Sequence, residues 1–169
     1  MTYFELFDIP VQLKVNSALL SKKFFELSKK YHPDYFATES EALQAEALEK
    51  SALLNKAWKT FQNEEATIKY VLAEKGLLQE EEKYELPPDF LMEVMDINEA
   101  LMDADEPTVK SNIETTIKNL QSEIYAPVKK IVENYQDGIT TEKELLQVKE
   151  YYYKKKYLLR INHQLAGKP

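Results

Sequence analysis

The chain has 169 residues, 44% hydrophobic and 30% charged, with three glycines and a formal net charge of −7. It has no cysteine, which excludes disulfides, thiolate zinc sites and cysteine nucleophiles, and its acidic balance argues against general nucleic-acid binding. No apolar run reaches the roughly eighteen residues of a membrane span, and the N-terminus, with Glu5 and Asp8 and no basic segment, lacks the marks of a secretion or import signal. The expectation is therefore a cytoplasmic, all-α protein without a cofactor.

Residues 2–8 predict a short helix closed by Pro10. Asn16 or Ser17 is a suitable N-cap for a second helix, whose Leu20, Phe24, Leu27 and Tyr31 recur at helical spacing and form an apolar face. Lys22 and Lys29 project from the opposite side, with Lys23 and Lys30 on a flank. Ser40 can cap a third helix running to about Gln62, with Leu43, Ala47, Leu54, Trp58 and Phe61 as its buried stripe. Two long helices joined by a turn predict an antiparallel hairpin. A fourth helix starts at Asn63, runs through Ala73 and ends near Gly76. The acid run Glu80-Glu81-Glu82 and then Pro87-Pro88 mark a linker, dividing the chain into domains at 1–76 and 88–169 with 77–87 between them.

In the second domain, a helix opening at Pro88 or Asp89 carries two arcs. Phe90, Val94, Ile97 and Leu101 form a narrow core arc; Leu91, Met92, Met95 and Met102 form another, with Asp96, Glu99 and Asp103 beside them. Burying the second arc would drag those carboxylates inside, at several kcal/mol per unpaired charge, so the expectation is a methionine-rich binding surface with an acidic rim. Glu106-Pro107-Thr108 opens the next helix, with a stripe of Val109, Ile113, Ile117, Leu120, Ile124, Val128 and Ile131 that Pro127 should kink or split and Asp137-Gly138 should stop. Thr141 and Glu144 spell a capping box for the last helix. There Leu145, Val148, Tyr152 and Leu159 make the core stripe, extended by Tyr151 and Leu158, while Leu146, Tyr153 and Tyr157 point away. Short connections between such helices predict an antiparallel three-helix bundle.

Between the second and third helices stands Tyr31-His32-Pro33-Asp34-Tyr35. Pro33 ends the helix and pushes His32 out of the helical region. Alone, this is an ordinary stop signal. The lysine-rich outer face, taken alone, is a solvated surface; beside a functional tripeptide it becomes a docking surface for an acidic partner, since rim charges steer association.

The stretch resembles the His-Pro-Asp signature of J-domain co-chaperones, and its flanks fit: Tyr3-Phe4-Glu5-Leu6-Phe7 before it, and Leu53-Leu54-Asn55-Lys56-Ala57-Trp58-Lys59-Thr60-Phe61 after it. With Phe90-Leu91-Met92-Glu93 and the two-domain layout, the whole chain resembles the HscB family of iron–sulfur-assembly J-proteins. The resemblance implies an N-terminal J-domain that engages a seventy-kilodalton heat-shock chaperone of the HscA or DnaK type and stimulates its ATPase. It also implies a C-terminal bundle that holds an iron–sulfur scaffold protein of the IscU type. Carried over to matching positions, it puts the chaperone contact on His32, Pro33 and Asp34 with Lys22, Lys23, Lys29 and Lys30. The scaffold contact falls on Leu91, Met92, Met95, Asp96, Glu99, Asp103 and Tyr153. The chain departs from the family pattern at Tyr35, where a lysine is common, at Tyr153, where the family has phenylalanine, at Met95-Asp96 in place of Leu-Glu, and at Pro127. The alternative is a helical adaptor that uses its J-domain with a client outside iron–sulfur assembly.

Two other classes are weaker. The two histidines, His32 and His163, with Asp34 have no recognised metal-ligand spacing, and no nucleophile–base arrangement is visible, so neither a metal nor a catalytic residue is expected. Tyr151-Tyr152-Tyr153-Lys154-Lys155-Lys156 interleaves aromatics with lysines as single-strand binders do, but most of its tyrosines fall on the core side, so no nucleic-acid partner is expected.

Overall fold

The computed structural model describes residues 1–167 and, among them, contains helices and no strand. The helices are α1 (Tyr3–Phe7), α2 (Ser17–Lys30), α3 (Glu41–Phe61), α4 (Glu64–Glu74), α5 (Pro88–Leu101), α6 (Pro107–Tyr125), α7 (Lys129–Glu133) and α8 (Glu142–Ala166), with a 3₁₀ turn at Pro33–Phe36 between α2 and α3. The chain divides into two compact units, one of Met1–Val71 with Asn134–Ile139 and one of Leu72–Glu133 with the chain from Thr140 onward. Residues 72–87 thus count with the second unit, and the segment between α7 and α8 with the first.

The helix ends of the first unit follow local chemistry. Thr2 and Glu5 form a reciprocal capping box on α1, and the Asn16 and Ser40 side chains accept from Leu19 and Leu43 N–H to start α2 and α3. Beyond α4, Gly76 sits at φ +73°, the left-handed geometry that a glycine takes at least cost. The core is Phe4, Leu6, Phe7, Leu13, Leu20, Leu54, Ala57, Phe61, Ile68 and Val71. Phe61 anchors it, meeting Phe4 at 4.8 Å and Phe7 at 5.4 Å between ring centroids, while Phe24 of α2 stacks on Trp58 of α3 at 4.2 Å.

Two expectations about the hairpin change. Leu43 does not join the buried stripe and is 42% exposed. It lies in the first turn of α3, which packs on the 3₁₀ turn, and that turn offers no buried residue. Phe24, Leu27 and Tyr31 of α2, and Trp58 of the α3 stripe, are half-buried rather than buried.

In the second unit, α5, α6 and α8 pack on one another around Phe90, Val94, Ile97, Ile113, Ile117, Leu120, Val148, Tyr152, Leu158 and Ile161. Pro107 occupies the first position of α6. Pro127 splits the long stripe: α6 stops at Tyr125 and α7 resumes at Lys129, with Val128 and Val132 still buried. That second piece ends at Glu133, short of the expected stop at Asp137-Gly138. The capping box of α8 is formed, Thr141 Oγ1 accepting from Glu144 N–H at 3.2 Å and Glu144 Oε1 from Thr141 N–H at 3.0 Å. None of the described helices is long and apolar enough to cross a membrane.

Candidate functional site

The lysine face of α2 and the turn that follows form the first site. His32 takes an extended backbone (φ −64°, ψ 129°) and caps the 3₁₀ turn, its Nδ1 accepting from Asp34 N–H at 3.2 Å. A ring nitrogen that accepts carries no hydrogen, so the imidazole keeps its hydrogen on Nε2 and has that N–H to offer. Asp34 Oδ2 lies 3.6 Å from the same Nδ1, and the carboxylate is 88% exposed. Pro33, at the first position of the turn, fixes φ between the two.

The turn is held from behind. Ser51 of α3 donates to the Tyr31 carbonyl at 2.7 Å, pinning the residue before His32. Tyr31 is flanked by the ammonium groups of Lys30 at 5.3 Å and Lys50 at 5.1 Å from its ring centroid, and Glu46, bonded to Lys50 at 3.0 Å, holds that ammonium above its ordinary pKa. Lys22, Lys29 and Lys30 are exposed and Lys23 is half-exposed, so the expected basic face is present. Phe25 and Tyr35 were absent from the sequence-based site. Both are exposed, at 62% and 68%, and with Ser28, Lys29, His32 and Asp34 they line an open notch of about 410 Å³. The Lys29 ammonium lies 4.4 Å from the Phe25 ring centroid. Phe25 is off the apolar stripe of α2, a signal visible in the helical wheel; Ser51, twenty residues from its partner, gives none.

The second site is the outer arc of α5. Leu91, Met92, Met95 and Met102 are all exposed, Met92 at 67% and Met95 at 60%, while Phe90, Val94 and Ile97 are buried. Asp96, Glu99 and Asp103 are exposed beside them, Asp103 just past the helix end. Tyr153 of α8 is half-buried and set by other neighbours. Its ring stacks on Tyr84 at 4.5 Å and 5° and meets Tyr152 edge-on at 5.1 Å. Burial, aided by the Glu82 carboxylate, pushes its phenol up to about 12. Among the described residues no group of three or more His, Cys, Asp or Glu is placed to hold a metal ion.

The family model described as the HSCB C-terminal oligomerisation domain matches residues 86–166. The co-chaperone protein HscB homologue of Vibrio parahaemolyticus is 40% identical over 104 residues, covering 61% of each chain. That of Photobacterium profundum is 38% identical over the same length, so the match spans about 61% of these curated relatives. The crystal structure of human co-chaperone protein HscB superposes with a TM-score of 0.81 at 28% identity, over 98% of this chain and 81% of that one. Chaperone HscB from Vibrio cholerae gives 0.76 at 26% identity, over 98% of this chain and 96% of its own.

Proposed function

We propose that the chain is of the HscB type, since the HSCB C-terminal domain model matches residues 86–166 and the fold superposes on human HscB over 98% of this chain, and that it is a cytoplasmic co-chaperone. It stimulates the ATPase of a seventy-kilodalton heat-shock chaperone of the HscA or DnaK type and delivers to it an iron–sulfur scaffold protein of the IscU type. The observation that carries this reading is the outward-facing His32-Pro33-Asp34 turn at the end of a basic helix, its carboxylate 88% exposed. Asp34 accepts charge-assisted hydrogen bonds from a cation on the chaperone. Pro33 and the Ser51 bond keep the turn in one shape, which lowers the ordering cost on association. His32 adds its Nε2–H to the same contact. Tighter binding to the hydrolysis-competent state of the chaperone than to the resting one is what speeds ATP hydrolysis. The protein thus works by binding, with no chemistry of its own on a substrate.

The outer arc of α5 supplies the client half. Flexible thioether side chains conform to an apolar partner surface, and the carboxylates beside them select a partner with basic residues at its rim. Holding the client and the chaperone on one chain raises the effective concentration of each for the other.

The test is a steady-state ATPase assay on an HscA- or DnaK-type chaperone. Adding the chain should accelerate hydrolysis, and adding an IscU-type scaffold should accelerate it further; no acceleration by the chain sinks the reading. A second expectation concerns the client face alone. Met92→Ala combined with Met95→Ala should weaken scaffold binding about tenfold, near 1.4 kcal/mol, with helical circular dichroism unchanged because both side chains are exposed. Loss of helicity would instead return the methionines to the core.

A further inference from the structure

Residues 79–87 are no free spacer. Lys149 Nζ of α8 donates to Glu82 Oε2 at 2.6 Å, with both side chains largely covered, and Glu82 Oε1 accepts from Gln79 N–H at 3.1 Å. The Lys149 ammonium, with the Gln79 N–H, holds the Glu82 carboxyl below its ordinary range. Two residues on, Tyr84 lies flat against Tyr153, and Lys149 Nζ stands 5.7 Å from the Tyr84 centroid. Tyr153 is therefore covered by Tyr84, met edge-on by Tyr152, and approached by the Lys156 ammonium at 5.8 Å. A ring enclosed in this way keeps one orientation. One turn along α8 the aromatic row reaches α5: Asn98 donates to the Tyr157 hydroxyl at 3.3 Å, and Phe90 meets the Tyr157 ring at 6.4 Å.

We propose that Tyr84 is a positioning residue for Tyr153, and that residues 79–87 form a strap building one edge of the scaffold-binding surface. The proposal rests on the client-binding reading above. An aromatic side chain already fixed in its bound orientation costs less to order when a partner arrives.

Calorimetric titration of an IscU-type scaffold protein into the full chain and its variants tests this. Tyr84→Ala should raise Kd about three- to tenfold, and Tyr84→Phe, which keeps the stack, should bind as the parent does. In a Tyr153→Ala background, Tyr84→Ala should add nothing further, because it acts through that ring. Parental or tighter binding by Tyr84→Ala, or fully additive losses in the double variant, would overturn the proposal. If Tyr84→Ala does not fold, Tyr84→Leu decides: it keeps apolar cover but loses the planar stack, and parental affinity in that variant is the overturning result. The Met92→Ala, Met95→Ala variant separates the two levels. If it also binds like the parent, or the parent does not bind at all, the client-binding reading itself fails; if it weakens while Tyr84→Ala does not, only the strap fails.

Discussion

His32→Gln should abolish stimulation of the partner chaperone's ATPase while leaving the chain folded. The imidazole contributes to its own fold one exposed hydrogen bond, Nδ1 accepting from Asp34 N–H at 3.2 Å, and no residue of the 3₁₀ turn is buried. Loss of such a cap costs about 1 kcal/mol or less at an exposed site, so circular dichroism and thermal unfolding should move little. The functional loss is larger, because glutamine removes the aromatic ring and presents its polar groups at another distance from the backbone. Asp34→Asn is the sharper companion. It keeps the shape of the side chain and removes the charge, and a hydrogen bond to a charged group is worth about 1.5–3 kcal/mol. Stimulation at limiting co-chaperone should therefore fall roughly ten- to a hundredfold. Both variants should still bind the scaffold, since α5 and α8 are untouched. Stimulation at the parental level by His32→Gln would defeat the J-domain role outright.

The helical periods carried most of the fold. On α5 the separation of Phe90, Val94 and Ile97 from Leu91, Met92 and Met95 was readable because six positions on a regular helix leave little freedom, and the carboxylates flanking the methionines decided which arc stays in water. Pro127 announced its own break, and Thr141 with Glu144 announced the start of α8. What escaped was pairing across long separations. Glu80-Glu81-Glu82 reads as a solvated acid run until Lys149, sixty-seven residues later, stands beside one of its members. Tyr84 looks like a linker tyrosine until it is laid on Tyr153. Ser51 has no local mark of its bond to Tyr31. The candidate sites divide the same way. The methionine arc follows from local spacing and the His-Pro-Asp turn with its lysines from the resemblance, whereas Phe25 and Tyr35 enter through the notch they share with Asp34. Leu43 erred in the other direction: it has the right period for the stripe, but its helix begins before there is a buried surface to pack against.

Leu158→Ala should destabilise the second unit by about 3–5 kcal/mol. Leu158 has no exposed surface and sits on α8, the helix that packs against α5, α6 and α7. Truncation removes three carbons from a site walled by helices that cannot all close in, so the lost transfer energy is joined by a cavity term. In urea titration the transition midpoint should fall while the slope of stability against denaturant stays near the parent's, because the surface exposed on unfolding hardly changes. Leu146→Ala, on the same helix but at a half-exposed position, should shift stability by no more than about 0.5 kcal/mol. The pair tests how the helix divides its labour: one leucine holds the bundle that presents the methionine arc, and the other is dispensable to it. Equal losses in the two variants would mean that the Leu146 face is also covered, and would end the assignment of that side of α8 to solvent.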